Sequence, residues 1–429
     1  MNQTKIWMKI RDSFWFIPTV YGVVSILLVI LITITDGWLV GSYKDNLPKV
    51  LLTTNKVAID LYASLVTGIL TMTTISFSVI MVVLTTYSTQ FSPRTLQDFM
   101  RSSTTQHVLG VYCLGFIFAL IHLLTAGKET SVIGPIVMVI VAIITLAFFV
   151  YFIHHSARWI QVNNLIGKIR NDGSRVIKRT YKDHNFLEYE KWNEDELNDI
   201  QSYNKRSIYA YDSGYIQKID WEGLLKQATR QGCIVHVHAR IGDFVTKGLP
   251  IMSVIETEDC DDNYEFKQFL IIGNERTDIQ DVEFMIQKLV EIALRAISPA
   301  INDPHTAINC INRIGALLSE IGAAYNENRY FADSNKQLRV ICEPKRYEDF
   351  LYKSLYQIRH YGKDDISMLY AMVEVLYKIA IVSKQPIKQK VWNFHFYIMD
   401  VVEWDILSDL DREHLQGIYK RFKAYCTTD

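Results

Sequence analysis

Long apolar runs in the first part of the chain constrain its fold more than any other feature. Four runs contain no Asp, Glu, Lys or Arg, and they lie at roughly residues 14–35, 61–87, 108–126 and 131–155. About 20 apolar residues of helix cross the hydrocarbon core of a bilayer, and each run is about that long or longer. The sequence therefore predicts four transmembrane helices within residues 1–157.

The positive residues around these runs predict their orientation. The first run is too long for a signal peptide, and no small-residue cleavage site follows it, so we expect a retained span. Lys and Arg lie before the first run, between the second and third, and most densely after the fourth. Because cytoplasmic flanks retain positive charge, we expect a multi-pass protein with both termini in the cytoplasm.

The overall composition argues against several functions. The chain has 45 basic and 46 acidic residues and a net charge of -1, so no overall field favours nucleic acid, and we expect no nucleic-acid partner. Its six cysteines stand singly, without C-x-x-C spacing, which argues against a zinc site or a disulfide framework. We expect no metal and no cofactor.

The second apolar run carries a polar stripe. At about 100° per residue, six polar side chains fall on one face of the predicted helix. These candidate pathway-lining residues are Asp60, Thr67, Thr71, Thr74, Ser78 and Thr85. Hydroxyl groups can line a water-filled pathway, since they replace part of a solute's hydration shell. They can equally join helices within lipid, and both interpretations stay open.

The segment after the second run, "TQFSPRTLQDFMRSS", contains a helix-start signal. Ser92 is the predicted N-cap, Pro93 the first helical residue, and Arg94 part of a polar side. The pattern predicts a short amphipathic helix on the inner membrane surface. The alternative is packing against the cytoplasmic region.

The remainder of the chain predicts an α+β cytoplasmic region. Residues 158–204 are charged and patchily helical, which is typical of a connector. Alternating β-branched runs with glycine turns then predict a small β module over residues 205–268. Its "GDFV" and "GLPI" turns resemble the barrel-sandwich hybrid of biotinyl and lipoyl carriers, without the carriers' Met-Lys-Met modification site. This β-barrel-like module is followed by a predicted helical domain over residues 269–429.

Two helices of that domain meet at the stretch "AISPAINDPHTAI". The first is predicted to start at Thr277, and Asp303 with Pro304 predicts the N-terminus of the second. We interpret the stretch mainly as a rigid corner. Some of its polar side chains could still bind a ligand together with nearby arginine side chains. These candidates are Arg276, Arg295, Asn302, Asp303 and His305.

Two motifs carry a family resemblance. "TTYSTQFSPRTLQDFM" and "ALRAISPAINDPHTAINCINRIGALL" together resemble the bacterial predicted-membrane-protein family of domain of unknown function 2254. The resemblance covers most of the chain. It implies an α-helical integral protein of the bacterial inner membrane, and it implies no reaction or cofactor.

Three functional hypotheses follow. The first is a homo-oligomeric channel-like or transport-related protein with a cytoplasmic assembly or gating domain. The second is a membrane-anchored scaffold or ligand sensor without a pore, whose partner is a cytoplasmic protein or a small molecule. An enzyme is third, because no nucleophile elbow, phosphate loop or paired catalytic carboxylates stand out. We therefore assign no catalytic residue.

Overall fold

A computed structural model describes most of the chain. The described residues are 13–43, 54–91, 99–100, 102–125, 133–181, 186–256, 266–327 and 329–427. The chain divides into two compact units, residues 1–164, here called the four-helix unit, and residues 165–429, here called the α/β unit.

Four helices in the first unit are long and apolar enough to cross a membrane, as the sequence predicts. They are α1 (Phe16–Tyr43), α2 (Asn55–Thr86), α3 (Ser103–Thr125) and α4 (Ile133–Ile160). A π-helical turn, Tyr87–Phe91, extends α2. Apolar side chains on the outer faces of these helices are exposed in the single chain, which suits contact with lipid acyl chains.

Small and polar residues pack the inside of the four-helix unit. A Cβ atom on Gly110 of α3 would lie 2.7 Å from the ring of Tyr21, so glycine permits the close approach of α1 and α3. The buried Ser76 hydroxyl lies 3.2 Å from the Tyr112 hydroxyl and joins α2 to α3. Ser25 of α1 donates to the carbonyl oxygen of Leu114 at 2.9 Å. These contacts hold helices together without a hydrophobic driving force between them.

The α/β unit contains helices that surround two sheets. The helices are α5 (Val162–Tyr181), α6 (Glu194–Ser202), α7 (Trp221–Arg230), α8 (Val282–Ala296), α9 (Pro304–Ala324), α10 (Tyr347–Gly362), α11 (Ile366–Val382), α12 (Gln385–Met399) and α13 (Asp409–Thr427). The strands are β1 (Leu187–Tyr189), β2 (Lys205–Tyr209), β3 (Gly214–Ile219), β4 (Ile234–Val237), β5 (Phe244–Val245), β6 (Pro250–Ile255), β7 (Leu270–Gly273), β8 (Arg329–Ala332) and β9 (Leu338–Cys342).

The strand pairings differ from a self-contained β module. Six strands form one sheet in the order β1-β8-β9-β4-β6-β2, and three form another in the order β5-β3-β7. Strands β7, β8 and β9 come from the region that the sequence predicts as a helical domain, and β9 pairs in parallel with β4. Backbone hydrogen bonds between distant segments complete the larger sheet. The spacing of apolar residues within one segment does not predict such pairings. A mixed α/β region is confirmed, whereas these pairings do not show a closed barrel.

The start of helix α8 also differs from the prediction. The helix begins at Val282 with Asp281 as N-cap, and the predicted N-cap, Thr277, lies in the turn before it. The side chain of Gln280 holds this turn against strand β3. It accepts the N–H of Ile219 at 2.9 Å and donates to the same residue's carbonyl oxygen at 3.1 Å. A tertiary contact therefore keeps residues 277–280 out of the helix.

Helices α8 and α9 form an antiparallel hairpin that anchors the helical layer. Helix α8 packs on α9 and α10, α9 packs on α11, and α11 packs on α12 and α13. The predicted apolar face of α9 is buried, including Ile311, Ile314 and Leu318. Burial of such side chains stabilises by about 1.5–3 kcal/mol each. This packing holds the N-terminus of α8 in place beside the sheet.

Candidate functional site

A cleft lies in the α/β unit where the ends of several elements meet. Its walls come from the end of α5, the start of α7, the loop after β4, the start of α8 and the segment between β9 and α10. Its volume is about 70 Å³, which suits a small ligand. Apolar walls with a few convergent polar groups are typical of small-molecule sites.

A buried ion pair fixes the side of the cleft at the start of α8. Arg276 donates from Nε and Nη2 to the two carboxylate oxygens of Asp281, at 2.7 and 2.8 Å. Oδ1 of Asp281 also accepts the N–H of Phe284 at 3.0 Å, which caps the helix. The Asp281 side chain is 3% exposed, so this bidentate pair is shielded from water. It joins the turn before α8 to the helix itself.

Glu283 extends this pair into a network. Its Oε1 accepts Arg276 at 3.3 Å, and its Oε2 accepts Nζ of both Lys345 and Lys353 at 3.0 Å. Burial alone would raise the pKa of Glu283, but Lys345 and Lys353 lower it to about 2. The carboxylate is therefore ionised at neutral pH, and it ties α8 to α10 and to the segment before α10.

A glycine turn lies directly against the Arg276–Asp281 pair. Gly242 has φ +83°, a backbone conformation that glycine adopts without steric cost. A Cβ atom there would lie 2.3 Å from Oδ2 of Asp281 and 2.7 Å from Nη2 of Arg276. Only glycine fits this approach. The turn thereby positions Arg240, whose N–H donates to Oδ2 of Asp243 at 3.1 Å.

Arg240 and Glu343 face each other loosely across another part of the cleft. Nε of Arg240 donates to the backbone oxygen of Glu343 at 3.1 Å, whereas the closest approach of the two charged groups is 3.7 Å. Nε2 of His236 lies 3.5 Å from the other Glu343 oxygen. Burial and the neighbouring His238 lower the pKa of His236. The imidazole is therefore mainly neutral at pH 7, and its Nε2 makes no hydrogen bond to any residue that the structure describes.

The end of α5 supplies a third side of the cleft. Burial raises the pKa of the Tyr181 hydroxyl to about 12 and that of the Cys342 thiol to about 11, so both groups keep their protons at neutral pH. Arg329 is 4% exposed and binds Glu188 at 2.7 Å. The buried Thr180 hydroxyl has no hydrogen-bond partner within the described ranges.

The structure separates the predicted ligand candidates into two places. Asp281, bound by Arg276, caps the start of α8, whereas the N–H of Asp303 donates to the carbonyl oxygen of Ala296 at its end, 2.7 Å away. The helix has 15 residues and is about 22 Å long. Arg295 lies in its last turn, at the same end as Asp303. Arg276 is therefore beside the cleft and is not brought together with the corner.

The corner has the geometry of a helix cap. Oδ1 of Asp303 accepts the N–H of Thr306 at 3.0 Å and Oδ2 accepts its hydroxyl at 2.6 Å. Asn302 has φ +51°, which suits the tight turn, and both Asn302 and His305 are exposed. The N-cap role predicted for Asp303 is confirmed, and a ligand-binding role for this group stays a prediction.

The polar stripe of α2 faces outward in the single chain. All six of its residues are exposed. Each hydroxyl donates to the carbonyl oxygen four residues earlier, at 2.8–3.1 Å, for Thr67, Thr71, Thr74, Ser78 and Thr85. The hydroxyls that join α2 to other helices include Ser76, on a different face. A pathway role for the stripe stays a prediction. Ser92, Pro93 and Arg94 lie outside the described residues.

Sequence reasoning missed several polar groups. Arg240, Glu343 and Thr180 carried no motif, although the Gly242-Asp243 turn was visible as a turn signal. Asp36 was also missed, because the predicted first span ends at Thr35. Helix α1 continues past it, and the 8% exposed Asp36 caps α4 by accepting the N–H groups of Ile133 and Gly134 at 3.2 and 3.3 Å. Within the described part of the chain, no cluster of His, Cys, Asp or Glu could hold a metal ion.

Comparisons with known proteins agree with a membrane protein of unknown activity. The chain is 27% identical over 321 residues to uncharacterised proteins of Mycobacterium bovis and Mycobacterium tuberculosis. The match covers 71% of this chain and 60% of each relative, so the matched part spans three fifths of the relatives' length. No solved structure matches the chain. The family model described as "Predicted membrane protein (DUF2254)" matches residues 11–378, and the chain therefore belongs to that family.

Proposed function

We propose that this protein is a membrane-anchored sensor that binds a small ligand in the cleft of its α/β unit. The observation that carries the proposal is the cleft itself, which Arg276, Asp281 and Glu283 hold in shape through buried ion pairs. Buried, hydrogen-bonded side chains keep a site preorganised, and binding then costs less ordering of the protein. The apolar helices of the four-helix unit supply the anchor.

The chemistry of the cleft favours binding over catalysis. The Cys342 thiol and the Tyr181 hydroxyl keep their protons at neutral pH, because burial raises the pKa of both groups. A thiol acts as a nucleophile in its thiolate form, so Cys342 is a poor one. The carboxylates of Asp281 and Glu283 are each bound by cations. These groups shape a site more readily than they transfer protons.

The proposal includes a cytoplasmic location for the α/β unit, in the inner membrane of a bacterium. The positive residues that follow the fourth span support this orientation. Fusions of green fluorescent protein and of alkaline phosphatase after residue 429 test it. We expect fluorescence and no phosphatase activity. The reverse pattern would place the cleft outside the cytoplasm and remove cytoplasmic solutes as its ligands.

Blocking the cleft tests the sensor proposal directly. Ala239 lines the cleft and is 7% exposed, so Ala239→Phe should fill it. Thermal unfolding of full-length protein in detergent is measured with inorganic phosphate, acetate, glycine, trimethylammonium and urea. A ligand that binds the folded state raises its Tm. We expect at least one solute to raise the Tm of the unsubstituted protein and not that of Ala239→Phe.

The control carries the same substitution at an exposed position. Ala323 lies near the end of α9 and is exposed, so Ala323→Phe should keep the response. If none of the five solutes raises the Tm, or if Ala239→Phe responds as the unsubstituted protein does, the sensor proposal is wrong.

A homo-oligomeric channel-like protein is the second candidate. The outward-facing polar stripe of α2 favours it, because a shared axis between copies could shield these residues from lipid. Thr71→Cys and Thr74→Cys test the contact by oxidative crosslinking in membranes, with Leu124→Cys, 86% exposed on α3, as control. Crosslinking at the stripe together with ion flux through liposomes would support this candidate. A monomer without flux would exclude it.

A further inference from the structure

The guanidinium of Arg240 forms only part of the hydrogen bonds that it can donate. Its Nε donates to the backbone oxygen of Glu343, and its Nη groups make no hydrogen bond to any residue that the structure describes. The nearest carboxylate oxygen, Oε2 of Glu343, lies 3.7 Å from Nη2, beyond hydrogen-bond distance. The guanidinium therefore has a free planar edge, the part that binds carboxylates and phosphates through two parallel hydrogen bonds.

Glu343 is held more weakly than the other carboxylates of the cleft. Asp281 accepts two short hydrogen bonds from Arg276, and Glu283 is bound by two lysines at 3.0 Å. The Glu343 side chain is 58% exposed, whereas those of Asp281 and Glu283 are 3% and 10% exposed. The Glu343 side chain can therefore rotate out of the cleft into the solvent without leaving a buried carboxylate unpaired.

The charges on the described residues that line the cleft balance only while Glu343 is counted. Arg276, Lys345 and Lys353 face Asp281, Glu283 and Asp243, and the buried Arg329 faces Glu188. Among the charged residues that line the described part of the cleft, this leaves Arg240 as the cation and Glu343 as the anion. If Glu343 turns away, the site keeps one positive charge. An external anion can then replace the carboxylate charge for charge.

Thr180 adds a neutral donor to the same cleft. Its buried hydroxyl lines the cleft and lacks a partner within the described ranges. A buried hydroxyl without a hydrogen bond is unfavourable, and an oxygen of an anion in the cleft could accept a hydrogen bond from the Thr180 hydroxyl.

We propose that the cleft binds a small oxyanion, a carboxylate or a phosphate, on the guanidinium of Arg240, and that Glu343 is the internal carboxylate it displaces. This inference rests on the proposed sensor function and names its ligand class. The anion thus competes with the Glu343 carboxylate for Arg240, and the outcome depends on the concentration of the anion.

Isothermal titration of full-length protein in detergent tests the site. Inorganic phosphate and acetate are the probes, at constant ionic strength set by chloride, and they separate phosphate from carboxylate recognition. Arg240→Ala should weaken binding about tenfold or more, since hydrogen bonds between charged groups are lost. Arg240→Lys should bind between the two, because it keeps the charge without the planar edge. Glu343→Gln should bind about two- to fivefold tighter, because the competitor loses its charge.

Lys247→Ala is the matched control. Lys247 is an exposed cation on the neighbouring turn and lies outside the cleft, so its removal reports general electrostatic attraction. Its affinity should stay within about twofold of the unsubstituted protein. Equal weakening in Lys247→Ala and Arg240→Ala would overturn the inference. So would weaker binding by Glu343→Gln, which does not depend on the folding of the Arg240 variants.

The two proposals fail in different ways. If glycine, trimethylammonium or urea raises the Tm and Ala239→Phe blocks that response, while phosphate and acetate bind neither the unsubstituted protein nor Glu343→Gln, the sensor stands and the oxyanion inference is wrong. If no solute responds in a way that Ala239→Phe blocks, both are wrong.

Discussion

The two ends of helix α8 use the same residue type in different surroundings. At its start, Asp281 caps α8, is 3% exposed and binds the guanidinium of Arg276. Just beyond its end, Asp303 caps α9 through Thr306, which also lowers the pKa of the Asp303 carboxyl. Both aspartates serve as N-caps, but only the first belongs to a buried ionic network beside a cleft. A capping signal therefore marks where a helix starts and not what its cap does for a site.

Removing Arg276 should cause the largest loss of stability at the cleft end of α8. Arg276→Ala leaves Asp281 and Glu283 buried without their shared cation, and the loss of one partner of a buried pair costs about 3–5 kcal/mol. Chemical unfolding in detergent measures this change. Arg175→Ala is the control, because that side chain is 74% exposed in its pair with Asp172, and exposed pairs contribute about 0–1 kcal/mol. Similar losses in the two variants would contradict the buried network.

Acid should weaken the cleft end through Glu283. Its folded-state pKa of about 2 lies below the ordinary value of 4.5, so its stabilisation is complete above that value and is lost as the pH falls toward 2. We expect Glu283→Gln to cost about 2–3 kcal/mol at pH 7. The difference from the unsubstituted protein should shrink as the pH falls below about 5. A difference that stays constant from pH 7 to pH 3 would show that the charge of Glu283 is not what stabilises the fold.

The glycine turn at the cleft end offers a matched pair of substitutions. Gly242→Ala combines the strain of a positive φ with a Cβ that would collide with Asp281, and we expect a loss of about 2–3 kcal/mol. Gly248 also has a positive φ, +90°, but no heavy atom lies within 4 Å of its Cβ position. Gly248→Ala should therefore cost only the backbone strain, about 1 kcal/mol. Thermal unfolding that gives equal losses would exclude a tight contact between the turn and the ion pair.

Asparagine at the two caps should give the smallest and most direct comparison. Asn caps helices nearly as well as Asp, so Asp303→Asn should change stability by less than about 0.5 kcal/mol. Asp281→Asn keeps the cap but weakens the bond to Arg276, and we expect a loss of about 1–2 kcal/mol. Unfolding midpoints measured in parallel check the ranking. A larger loss at Asp303 would mean that the corner does more than turn the chain.

The sequence predicts the parts of this protein that depend on neighbours along the chain. The four apolar helices follow from hydropathy, and the cap at Asp303 follows from an aspartate before a proline. The predicted start at Thr277 is wrong because Gln280 bonds to Ile219, 61 residues away. Strands β7, β8 and β9 were missed for the same reason, since β7 completes its hydrogen bonds with β3 and β9 with β4.

The sequence alone determined where the apolar helices lie and where the helix corner turns, because hydropathy and capping act within a few residues. Only the tertiary structure decided that Arg240 faces Glu343 and that Lys345 reaches Glu283, contacts that join residues 103 and 62 positions apart. Charge pairing between segments far apart in the chain has no period along the sequence, and its strength depends on how much water the fold removes. The cleft is therefore a property of the folded α/β unit, although the Gly242-Asp243 turn and the candidate Arg276 beside it could be read in the sequence.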